Sequence, residues 1–485
     1  MNFYRSIKRI RESWNDSAAV KITNIRKPEI NLNRNKNHSA AALLLPAIAF
    51  FFPLFLPSPT DAYIGLCCAK CGGNMPLNLC SAGVPETHEF RITVSPMLMK
   101  MSGLQEKEEK INPDSRLSLP SEWYSGLFPG SMSMMMPMSM PMSGMTMAPD
   151  NSTVAKDNIT GGLTGRKYMA VPVAMRMEMI HVNIGYSFTD HFYGEIMLMA
   201  KSSKMKMKYN YMMTQMLGKI YDTMESKGMA DTMLMGKYRL YADDSLMPRS
   251  QISMIAGVNA PTGSIREKGF SHDMNITQPQ ALLAHFSDAY REKELLPYSM
   301  QLGSGTFDPV AGIEYQGSAS PFWWGVNMLY TARVYRNKEG WSPGDELRTD
   351  FFLMYQLTYN LVSQIQLNTK AWGKIKGEAD EVKTGEIGRN YAHPYSEYMS
   401  PEWDPENYGG KSALITVGLQ WQPVQFQILE IDVSAPIYQN LNGTQMSEES
   451  RIQIAYYFEI PTSASIRSRK NKNINKDGGE SKLGF

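Results

Sequence analysis

The side chains with the most evident chemical potential in this sequence carry sulfur. Four cysteines, Cys67, Cys68, Cys71 and Cys80, fall within one short stretch, and methionine, with 37 copies in 485 residues, far exceeds its usual share. Thiolates and thioethers are soft ligands that select Cu(I) and similar ions. The Cys-x-x-Cys step from Cys68 to Cys71 can present two thiolates to one ion. An even number of cysteines in an oxidising compartment equally suits disulfides, and the wider spacing matches no zinc framework. A second concentration lies between residues 131 and 149. There Met132, Met134, Met135, Met136, Met138, Met140, Met142, Met145 and Met147 are spaced by Ser, Pro and Gly. A stretch with no capacity for a core is expected to be a disordered loop, with its thioethers either gathering a soft ion or serving as adaptable filler.

Chemistry of other kinds has no foothold. There is no Gly-x-Ser-x-Gly elbow, no phosphate-cradling glycine loop and no His-Glu-x-x-His helix, so no enzyme is expected. Lys and Arg number 49 against 47 Asp and Glu, and the net charge of +2 gives no surface for a nucleic acid. No cofactor is required, with Cu(I) as the candidate bound or transported ion.

The elements that must position these residues alternate with period two, the pattern of strands with one apolar and one wet face. Phe322, Trp324, Val326, Met328 and Tyr330 share one face, and Ile452, Ile454, Tyr456, Phe458 and Ile460 share another. Twelve such segments lie between Glu86 and Ile460, most reaching the roughly 9–11 residues that a tilted membrane strand needs. Tight connections such as Thr189-Asp190-His191 and Ser318-Ala319-Ser320 alternate with long ones, as around an up-and-down barrel with one rim in the periplasm. The expected fold is an all-β transmembrane antiparallel barrel of about twelve strands, spanning residues 86–460 and bathed by outer-membrane lipid. The segment 425–437 breaks phase between Ile428 and Leu429, which predicts a bulge.

If the apolar set faces lipid, the other set lines the lumen. On that set lie Met97, Met99 and Met101, then Met175, Met177, Met179 and His181, then Met197 and Met199. Met229, Asp231, Met233, Met235 and Arg239 complete it, so four neighbouring strands are expected to turn thioethers inward. Charged residues on inward faces, among them Lys237, Glu314, Arg333, Arg348 and Asp350, are expected to tune a pore or pair with one another.

Outside the barrel, residues 1–39 carry nine Lys or Arg against three acids, and Ala40 to Leu56 is apolar and uncharged. Residues 1–62 therefore read as a basic leader and export signal, 63–85 as a Cys-bearing periplasmic segment and 461–485 as a disordered basic tail. Three stretches, Lys237 to Asp244, Ala260-Pro261-Thr262-Gly263-Ser264 and Gln301 to Pro309, resemble outer-membrane proteins named for the meta-pathway of phenol degradation, often called simply transporters. That resemblance implies a barrel channel for aromatic or hydrophobic compounds and brings no functional residues with it. The Met-rich loop and the cysteines are instead similar to segments of outer-membrane copper-resistance proteins. Three functions are thus expected in turn: a channel for copper or another soft ion, a diffusion pore for small hydrophobic or aromatic solutes, and a structural or adhesive barrel with a plugged lumen.

Overall fold

The protein is described by a computed structural model over residues 75–82, 84–118, 166–211, 213–214, 218–244, 248–270, 293–385, 387–388, 398–424 and 426–465. The expected signal, Cys67, Cys68, Cys71, the Met-rich stretch 131–149 and the tail beyond Ser465 lie outside these residues.

The principal strands are β1 (Glu89–Lys107), β2 (Ala170–Ser187), β3 (Phe192–Tyr209), β4 (Tyr221–Met229), β5 (Thr232–Ala242) and β6 (Ser250–Ala260). They continue as β7 (Asp308–Ala319), β8 (Phe322–Thr331), β9 (Glu346–Thr358), β10 (Leu361–Trp372), β11 (Gly410–Val424) and β12 (Gln427–Pro461). Each pairs antiparallel with its neighbours, and β1 pairs with both β2 and the end of β12, which closes the sheet on itself. The 35 residues of β12 make two staves. Its first part, to Leu441, lies on β11, and its second, from Leu441, returns along β1 after reversing near Gly443, whose φ is +60°. β4 and β5 lie end to end along β3 and form one stave. The barrel therefore has twelve staves, as the alternation implies.

Closure leaves an inner and an outer face, and the outer one is greasy. Ile180, Ile184, Ile196, Leu234, Met254, Ile313, Phe351, Leu353, Leu419, Ile431, Val433 and Ile452 all point outward and are exposed. Trp324 at 38% and Ile454 at 40% exposure belong to the same belt. A soluble monomer does not expose so continuous an apolar surface, whereas a barrel in lipid must. Aromatic rings gather at the short-turn rim, where Phe90 stacks on Tyr186 at 4.7 Å, Tyr186 on Phe188 at 4.9 Å and Phe188 on Phe192 at 5.6 Å. These form one part of an interfacial girdle.

Inside, the wall is polar and occupied. The described part of the expected 63–85 segment folds into the lumen. Leu77 and Asn78 donate their backbone N–H groups to Glu430, at 2.9 and 3.1 Å. The amides of Asn78 and Gln366 bond reciprocally at 3.2 and 3.1 Å, and Gln420 donates to the Met75 carbonyl at 2.9 Å. Met75, Leu77, Leu79 and Ala82 pack against the inward Phe352, Met354, Val362, Ile428, Ala455 and Tyr457. The plug also accounts for part of the phase break expected at 425–437. Ile428 is 1% exposed because it faces inward onto the plug segment, and Phe426 lies in the tight turn at φ +69°. Register shifts between β11 and β12 lie beside that turn, where Trp421 faces Leu429 and Val424 faces Gln427, and at the far end, where Ala413 faces Tyr438 and Leu414 faces Pro436.

The expected tail also begins in an ordered way. Thr462 donates its hydroxyl to the His88 carbonyl at 2.6 Å, and Ser465 is buried with its hydroxyl 2.5 Å from Glu89.

Close approach to the wall fixes one glycine. A Cβ at Gly185 would lie 1.9 Å from the hydroxyl of Tyr193, which itself accepts from Arg91 at 3.1 Å and donates to Glu195 at 2.9 Å. Gly185→Ala is expected to displace this buried ring and lower unfolding stability by about 1–3 kcal/mol. Thermal unfolding in detergent checks this, and an unchanged midpoint would show that Tyr193 yields freely.

Candidate functional site

Above the plug segment, towards the end that carries the long loops, the lumen holds a cavity of about 350 Å³. Cys80 of the plug lies at it, with Met199, Met233, Val310 and Leu329 from the staves. Tyr298, Trp341, Ile375 and Tyr408 come from the long loops, and Leu302 and Trp372 complete its apolar part. Asp231, Arg333, Glu346 and Arg348 supply charge. The volume suits a small molecule, and a mostly apolar wall with a few polar groups is what binding such a molecule requires.

Its carboxylates are already engaged. Asp231 accepts from the backbone N–H of Gly263 at 3.0 Å, of Ser304 at 2.7 Å and from the side chain of Asn259 at 3.2 Å, with the Ser304 hydroxyl 2.8 Å away. It thereby ties both ends of the long connection 261–307 to the wall. A Cβ at Gly303 would come within 2.4 Å of the same carboxylate, so a glycine is needed there. Glu346 is shared by two cations, Arg348 and Lys370, the latter at 2.8 Å. The Arg348 side chain lines the cavity and remains 54% accessible although it points into the lumen. Its Nε bonds Glu346, and its two terminal nitrogens bond nothing among the described residues. Arg333 pairs with Asp308, and Lys237 with Glu314 at 2.6 Å deeper in the lumen.

A loop cluster covers this end. Tyr298, Trp341, Ile375, Val382 and Trp403 are buried together, with Tyr408 packed against them. Ser299 donates to Glu402 at 2.6 Å, and Tyr408 donates to the Glu402 carbonyl at 2.8 Å. Burial raises the Glu402 carboxyl above its ordinary range.

The sequence-derived candidates divide into groups. Met97, Met99, Met101, Met175, Met177, Met179, His181, Met197, Met199, Met233, Met235, Asp231 and Arg239 lie on inward series and are buried or half-buried. Met229 is a correction: it is 51% exposed on the outer face. Ala230 and Asp231 are both buried, so the alternation slips by one residue at the joint between β4 and β5. Few of the inward thioethers reach the cavity. Met175, at 4% exposure, packs with Met169, Met205, Met207, Met213 and Met300 around Tyr168, so these sulfurs serve as core. The aromatic cover does not stand out in the sequence, and for Arg348 the alternation shows the inward face but not that Glu346 is its partner.

A closed barrel with a lipid-facing belt and an internally narrowed lumen defines the class: a membrane-spanning β-barrel of the outer-membrane type. No protein-family profile and no curated relative matches the sequence. Among solved structures, an outer membrane channel from Pseudomonas putida F1 aligns over 79% of this chain and 100% of its own, at 7% identity and a TM-score of 0.44. A Pseudomonas aeruginosa FadL homologue aligns over 83% and 99%, at 9% identity and 0.35. The P. putida toluene transporter TodX aligns over 78% and 91%, at 7% and 0.30. These likenesses are distant and extend no further than the general barrel form.

Two outcomes test this geometry. Asp231→Ala is expected to speed amide exchange at Gly263 and Ser304 by about tenfold or more, since each buried donor loses its partner at about 1–3 kcal/mol; mass-resolved exchange on the folded protein reads it. For Glu402, a raised folded pKa means that the proton favours the folded cover. That contribution is complete below the ordinary value of about 4.3 and is lost as pH rises through the raised one. Glu402→Gln should therefore flatten the loss of exchange protection in residues 398–408 as pH rises above the ordinary carboxyl value.

Proposed function

We infer that the protein is a channel of the bacterial outer membrane for small organic solutes with a hydrophobic or aromatic body. The observation that carries this reading is the cavity itself. Trp341, Trp372, Leu302, Leu329, Val310 and Ile375 offer an apolar wall to a ring-sized body, while Arg348 and its neighbours keep the space wet. The resemblance of Ala260 to Ser264 and Gln301 to Pro309 to the phenol-degradation proteins agrees with it, because both stretches surround Asp231 and so frame the cavity. The inward methionines favour packing over a continuous track for copper, since Met97, Met175 and Met235 are buried.

In the narrow state the plug segment obstructs the path, so passage requires the contacts from Leu77 and Asn78 to Glu430 to loosen. Deleting residues 75–82 is expected to raise single-channel conductance in planar bilayers several-fold. Benzyl alcohol should interrupt the ionic current of the intact protein, and Trp372→Ala should weaken that block, whereas glucose should leave it untouched. A barrel that passes no current with or without residues 75–82 would overturn the channel reading in favour of a structural role. Arg348→Gln should in addition reduce anion preference, read from the reversal potential in a salt gradient.

A further inference from the structure

Beside the cavity, four sulfur-bearing side chains converge from two directions. Met197 of β3 and Met233 of β5 are direct cross-strand partners, and Met235 follows Met233 on the same inward face. Cys80 descends on them from the plug segment. Its thiol forms no disulfide among the described residues, and its Sγ lies 3.9 Å from the Met235 Sδ. Cys80, Met197 and Met233 each pack against the cluster of Met235, Ile255, Val310 and Leu329.

We propose that Cys80, Met235, Met233 and Met197 form a binding site for one soft monovalent metal ion, Cu(I), at the base of the cavity. One thiolate with two or three thioethers is a donor set that selects Cu(I) over harder ions. Geometry agrees: two sulfurs each about 2.3 Å from one ion in a trigonal arrangement stand about 4 Å apart, and the Sγ to Sδ separation is already 3.9 Å. Among the described residues no group of three or more His, Cys, Asp or Glu gathers as a metal site, so a harder ion has no such competing home there. Access exists, because Cys80 and Met233 both line the cavity. Binding is an exchange without electron transfer: the Cys80 S–H bond breaks, an S–Cu bond forms and one proton passes to cavity water. The ion would tie the plug to the β3–β5 wall, whatever solute the cavity accepts.

The test is an anaerobic titration of the reduced full chain with Cu(I) against the chromophoric chelator bathocuproine disulfonate, counting the equivalents retained. Sulfur elsewhere in the chain contributes a background common to all variants. Cys80→Ser and the volume-conserving pair Met233→Leu/Met235→Leu are each expected to hold one equivalent fewer than the wild type. The Leu pair keeps the packing, so retained heat-modifiable gel mobility confirms folding. Equal retention in all three proteins would overturn the proposal. So would loss in Cys80→Ser without loss in the Leu pair, which would leave a thiol acting alone.

Discussion

Everything in this molecule follows from the requirement that no backbone N–H or C=O be left unpaired in lipid. A sheet can meet it only by closing, and closure here is made by β1 pairing with the returning half of β12, Glu89 opposite Pro461 and Met99 opposite Arg451. Once the ladder is closed, each strand must send alternate side chains to two different solvents. The outer belt of Ile, Leu, Phe and Trp and the inner array of Gln, Asn, Glu and Arg are consequences of that single constraint.

A closed wall creates an interior, and this interior is largely filled. Buried ions there would be costly alone, so they appear in pairs and networks: Lys237 with Glu314, Arg91 with Tyr193 and Glu195, and two cations around Glu346. The plug segment joins the same economy of contacts. Its backbone N–H groups have no strand to pair with, and the Glu430 carboxylate takes their place. Its apolar side chains in turn explain why the inner face carries Phe352, Ile428 and Tyr457, which would be out of place in an open pore.

The cavity is what remains between the plug and the loop cover. Asp231 holds the 261–307 connection against the wall, and the aromatic cluster around Trp341 and Tyr298 packs at the loop end. Between these fixed groups, Arg348 keeps donors in reserve and the thioethers of Met197, Met233 and Met235 stand beside the Cys80 thiol. The space therefore combines an apolar wall, the Arg348–Glu346 ion pair and a soft-donor set at one site.

The sequence by itself determined the barrel, its number of staves and the inward direction of most candidate residues, because period-two alternation records which solvent each side chain meets. It also marked Asp231 and the inward methionines, but as members of a face, and Cys80 as one of four cysteines outside the barrel. What the tertiary structure decided is partnership. The inward turn of Ile428 and the lumen position of residues 75–82 depend on contacts between residues hundreds of positions apart, as Leu77 to Glu430 shows, and the slip at Ala230 that sends Met229 outward on contacts of Asp231 with Gly263 and Ser304. Alternation is a local signal and cannot encode them, since two inward residues look alike along the chain whether they end in a packed core, an ion pair or open water.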